Sequence, residues 1–149
     1  MNYAKFNQVF DVEGLKQDLS KAAENNFEKT PYGEYVVHIS KLELVENSKG
    51  NPMLTVWFEI LEGNLQKRLI FMNQTITAGF QLHICNEFLR SLDSGLEVVF
   101  DDFEQYGKLI EQIYHKTMEL GLEYALEYSE KKGYDTFKIK EVFEADNPL

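Results

Sequence analysis

Cysteine is nearly absent from this 149-residue chain, and the single one, Cys85, has no partner with which to staple a secreted scaffold. Its apolar setting (Leu82, Ile84, Phe88, Leu89) instead predicts a buried, reduced thiol. Long apolar runs are missing as well: nothing approaches the ~20 residues of a membrane-spanning helix, and Met1-Asn2-Tyr3-Ala4-Lys5 lacks the apolar core of a signal peptide. The expectation is a cytoplasmic protein with no membrane partner. Catalytic signatures are absent too, since no P-loop, dinucleotide fingerprint or nucleophile elbow occurs. Neither enzymatic activity nor a cofactor is expected. Bases are the last scarcity, with 15 Lys and Arg against 25 Asp and Glu and a net charge of -10. Taken whole, that balance opposes contact with nucleic-acid phosphates.

The distribution of charge weakens that exclusion. From Asp101 to Glu130 eight acids face only Lys108 and Lys116, whereas from Thr30 to Leu92 six acids are nearly matched by Lys41, Lys49, Lys67, Arg68 and Arg90. Two faces of different potential are therefore available. With 44% hydrophobic residues the chain is expected to form one domain, 1–149, burying roughly two-thirds of its extended surface.

What is present is a β-meander between Gly33 and Asn73. In its first strand Tyr35, Val37 and Ile39 alternate with polar neighbours, then the phase slips to Leu42 and Leu44, which predicts a bulge. The second strand places Leu54, Val56, Phe58 and Ile60 on one side and Met53, Thr55, Trp57 and Glu59 on the other. A third strand is expected from Lys67 to Asn73. The turns between them, Asn47 to Pro52 and Glu62-Gly63-Asn64, carry the residues that tolerate positive φ or end a ladder.

Around the meander, residues 1–9 show no clear period and read as an arm that packs late or stays mobile, while Asp11 to Asn25 has the spacing of a helix capped by Asp11. Thr75 to Leu92 reads as a broad apolar helix, starting near Phe80 if Gly79 resists helicity, and Asp101-Asp102 opens another that runs to Met118. Its apolar face holds Phe103, Tyr106, Leu109, Ile110, Ile113 and Thr117. Two strands, Leu120 to Glu130 and Tyr134 to Phe143, close on a Lys131-Lys132-Gly133 turn. The predicted class is α+β, mainly β: an OB-like five-stranded barrel over residues 10–143, with an N-terminal helix and a helical insert between strands three and four. An acidic tail, 144–149, follows it.

Trp57 is the candidate platform for stacking bases, with Tyr35 and Phe71 beside it, unless a helix covers that face and makes it core. Lys41, Lys49, Lys67 and Arg68 are positioned to follow phosphates, and Lys131, Lys132, Lys138 and Lys140 cluster around the last hairpin. His83 and Cys85 form only half a zinc site, and His38 and His115 would have to converge on them from other elements, so no metal is expected.

Pro31-Tyr32-Gly33-Glu34-Tyr35, Ser48-Lys49-Gly50-Asn51-Pro52-Met53-Leu54 and Arg68-Leu69-Ile70-Phe71-Met72-Asn73 resemble a family of small proteins from phage replication modules. It is catalogued as domain of unknown function six-six-nine. Phe10 to Leu15 and Asn86 to Leu89 are similar too. The resemblance implies a non-catalytic single-stranded-DNA-binding protein acting in phage DNA replication or recombination within a bacterial cytoplasm. The ending Glu144-Ala145-Asp146-Asn147-Pro148-Leu149 resembles the acidic tails of bacterial single-stranded-DNA-binding proteins. That likeness makes Asp146, Pro148 and Leu149 candidate contacts for host or phage replication and recombination proteins. The competing expectation is an acidic inhibitor or adaptor whose Asp101 to Glu130 segment engages a basic protein surface. Homo-oligomerisation is compatible with both.

Overall fold

A computed structural model describes residues 3–26 and 29–144 and resolves two compact units, 1–31 and 32–149. In the first unit the expected arm is helical: a 3-10 turn, Tyr3–Lys5, leads into a short helix α1 (Phe6–Val9). Helix α2 (Val12–Asn26) follows, and the Gly14 N–H donates to Asp11 Oδ1 at 3.1 Å, the capping bond that the sequence predicts. Leu15 and Leu19 have the helical spacing but remain largely exposed.

The second unit is α+β. Its five strands, β1 (Gly33–Glu46), β2 (Pro52–Ile60), β3 (Leu69–Thr75), β4 (Leu122–Lys131) and β5 (Tyr134–Glu144), form one open antiparallel sheet in the order β3-β2-β1-β4-β5. β1 is long because it serves two partners: Gly33 to Val37 pair with β4, and Val37 to Glu46 pair with β2. The predicted phase slip is a register shift between Ile39 and Lys41. It keeps Val37, Ile39 and then Leu42 on the buried side, where an unbroken period of two would have turned Leu42 outward.

The β4–β5 hairpin turns on Lys132 (φ 53°) and Gly133 (φ 83°), the two positive dihedrals of a type I′ turn. β3 begins at Leu69, two residues later than expected, because Lys67 is held at φ 76° with its N–H bonded to the Ile60 carbonyl. A left-handed residue cannot continue a strand.

Helices α3 (Gly79–Ser91) and α4 (Phe103–Glu119) form the insert between β3 and β4. Asp102 caps α4 by accepting from the Gln105 N–H at 2.7 Å, and Gln81 Oε1 accepts from the Thr77 and Ala78 N–H groups ahead of α3. α4 covers the core-facing side of β1, where the Tyr114 hydroxyl donates to the Ser40 carbonyl and Leu44 lies beneath Gly107. α3 buries Cys85, Phe88 and Leu89 but leaves Phe80 and Ile84 exposed, so its broad apolar stripe is covered on one side only. Phe103, expected on the buried face of α4, is also exposed. At the centre Phe58 meets Phe88 edge-on and Phe137 in a stacked arrangement, each with centroids 5.9 Å apart.

Cys85, Tyr106 and Tyr124 are ionisable groups of this core. Burial pushes the Cys85 thiol from its ordinary 9.0 up to about 12 and likewise raises the phenols of Tyr106 and Tyr124. Their hydroxyls donate to Asn86 Oδ1 (2.6 Å) and the Leu92 carbonyl (2.8 Å) respectively. In the unfolded chain the thiol releases its proton near pH 9 while the folded protein still holds it, so the unfolded state binds fewer protons. Stability should therefore be insensitive to these groups at neutral pH and fall progressively as pH rises from about 9 to 12. Urea unfolding across that range checks this, and a flat profile would contradict it.

Candidate nucleic-acid interface

The side of β1, β2 and β3 that faces away from α4 is built from four cross-strand rows. Lys41, Trp57 and Phe71 form one of them, since Trp57 pairs with both neighbours in register. The rings of Trp57 and Phe71 meet at right angles with centroids 5.4 Å apart, and the Lys41 ammonium lies 4.4 Å from the Trp57 centroid. That is a cation–π contact. The same ammonium is 3.2 Å from a Glu43 carboxylate oxygen. All three side chains of the row are partly exposed, so neither α3 nor α4 converts Trp57 into core.

On one flank of this row, His38 Nε2 contacts the Glu59 carboxylate, with Leu69 next along. On the other, the Thr55 hydroxyl donates to Asn73 Oδ1 at 3.0 Å, which leaves the Asn73 amide N–H groups available at an exposed position. Val45, Met53 and Thr75 complete the face. Outward parity in β3 is the signal that picks out Asn73, and sequence reasoning passed over it. From the Met53 row to the Glu59 row is ~20 Å along the strand.

Basic side chains sit beyond both ends of this strip. Lys49 is exposed on the β1–β2 loop, which Asn47 shapes by accepting the Lys49 and Asn51 N–H groups on Oδ1 at 3.0 Å each. At the opposite end, Lys67 is exposed and Arg68 half-buried on the β2–β3 connection. Register thus places Lys41 on the face that carries Trp57 and Phe71, while Lys49, Lys67 and Arg68 lie on the connections at its two ends.

The remaining candidates are distributed differently. Tyr35 lies on the opposite side, because it shares the parity of buried Val37, pairs with Leu126 and packs against the core. The bulge places Lys41, not Ser40, opposite Trp57. Lys131, Lys132, Lys138 and Lys140 are exposed on β4, β5 and their turn, on the other side of β1 in the sheet, and Lys140 is 3.4 Å from Glu127. Asp146, Pro148 and Leu149 lie outside the described residues. His83 is exposed on α3 while Cys85 is fully buried, so the two diverge, and among the described residues no group of three or more His, Cys, Asp or Glu could hold a metal.

A family model described as protein of unknown function (DUF669) matches residues 16–146 of the chain. Comparison with curated proteins produced no match.

Proposed function

We propose, of a chain that belongs to the DUF669 family, that it is a non-catalytic single-stranded-DNA-binding protein whose contact surface is the outer face of β1, β2 and β3. The observation that carries this reading is the Lys41–Trp57–Phe71 row: two partly exposed rings and a cation in register on one sheet face, with further bases at both ends. A base stacking on Trp57 takes the place of the Lys41 ammonium, which swings from the ring to the neighbouring phosphate. Stacking of this kind is tolerant of sequence, because every base offers a π-face. The amide of Asn73, one row away, donates to an acceptor on the base edge.

The fold supports the same placement. The order β3-β2-β1-β4-β5 with helices between β3 and β4 is compatible with an OB-like barrel opened between its third and fifth strands. In such barrels the face of strands two and three, flanked by the loops after strands one and four, is where oligonucleotides lie. Here those positions hold Trp57 and Phe71, Lys49, and the Lys132-Gly133 turn. The wider role is replication or recombination in a phage or prophage module, consistent with the resemblance carried by residues 31–35, 48–54 and 68–73.

Salt dependence tests the electrostatic half of the reading. Each neutralised phosphate contributes about -0.7 to the slope of log affinity against log salt on single strands, so contacts from Lys41, Lys49, Lys67 and Arg68 should give a slope of about -3. Fluorescence anisotropy with a labelled poly-pyrimidine oligonucleotide measures it. No detectable binding even at low salt would overturn the proposal.

A further inference from the structure

The connection from α3 to α4 displays apolar side chains that the core does not take. Between Asp93 and Asp102 the backbone is irregular yet pinned: Arg90 donates to the Val98 carbonyl (3.1 Å), Gln105 donates to the Val99 carbonyl (3.0 Å), and the Asp101 N–H donates to Gln105 Oε1 (2.9 Å). Val98 is buried and Phe100 packs against the core. Leu96, Val99 and Phe103 consequently point outward, with 37%, 42% and 44% of their surfaces exposed. The same segment supplies an acidic rim in sequence, with Asp93, Glu97, Asp101, Asp102 and Glu104 and no base. The bases that flank the segment in sequence are already paired, Arg90 with Glu87 at 2.7 Å and Lys108 with Glu104 at 3.5 Å.

From this geometry we propose that Leu96, Val99 and Phe103 form a docking surface for a basic amphipathic segment of another protein. The apolar side chains of that segment cover the patch while its Lys or Arg side chains meet the acidic rim. Charge decides the class of partner, since this rim repels phosphates and acidic surfaces alike. α4 packs on the core-facing side of β1, so the patch belongs to the helical side of the unit and the Trp57 row to the other side of the sheet. The two surfaces can be occupied together, and the docking surface does not depend on the DNA-binding reading.

The test uses two fluorescein-labelled helical peptides of equal positive charge, one with Leu and Lys on opposite faces and one with every Leu replaced by Ser. Anisotropy titration of the full chain should show the Leu/Lys peptide binding at least about tenfold tighter than the Ser/Lys peptide. The double variant Leu96→Ser/Val99→Ser, which leaves Phe103 on its 5.1 Å contact with Phe100, should remove most of that difference. Glu97→Gln/Asp101→Asn should weaken binding of both peptides and flatten its salt dependence, with an unchanged circular dichroism spectrum. Equal affinity for the two peptides, or a double variant that is correctly folded and binds as the parent does, would overturn the proposal.

Discussion

Replacing Phe58 with alanine is expected to cost ~3–5 kcal/mol of stability, the range for removing a large ring from a closed core. Phe58 is fully buried in β2 and meets Phe88 from α3 and Phe137 from β5, so its ring ties the helical insert and the last hairpin to the meander. Domains of this size have total stabilities of about 5–15 kcal/mol, so such a loss leaves a marginal protein. Urea unfolding followed by circular dichroism provides the measurement. A loss below about 1 kcal/mol would mean that the core is not closed around this ring.

The second large effect concerns binding. Trp57→Ala removes the surface on which a base stacks, worth ~1–3 kcal/mol per base, so single-strand affinity should fall between about 5-fold and 150-fold. Trp57→Phe keeps a ring of smaller area and should fall between the parent and the alanine variant. Because Trp57 also packs on Phe71 and beneath Lys41, circular dichroism and urea unfolding of each variant must accompany the titration. A folded Trp57→Ala protein with parental affinity would place the DNA elsewhere, and the Lys131, Lys132, Lys138 and Lys140 group on β4 and β5 would be the next surface to vary.

Most of the second unit was legible in the sequence because its signals are local. Alternation in Leu54, Val56, Phe58 and Ile60 marks β2, the slip after Ile39 marks the bulge, and Lys132-Gly133 marks the last turn. What a period cannot encode is which strand comes to lie alongside. Tyr35 and Trp57 both read as candidate platforms, yet strand pairing puts them on opposite sides of the sheet. The aromatic and basic composition of the site was therefore visible, while the grouping of Lys41 with Trp57 and Phe71 emerged only from register. Phe80, Ile84 and Phe103 continue apolar stripes on their helices but reach past the edge of the core. Helical spacing reports a face and not how much of it is covered.

Trp57 is the only tryptophan in the chain, so its intrinsic fluorescence reports on one position in the proposed contact face. Titrating the protein with an unlabelled poly-thymidine oligonucleotide at low salt tests the central claim most directly. Stacking of a base on the indole should quench the emission in a saturable way, and added salt should reverse the quench with the slope found by anisotropy. Saturable binding seen by anisotropy with no change in Trp57 emission would contradict the account.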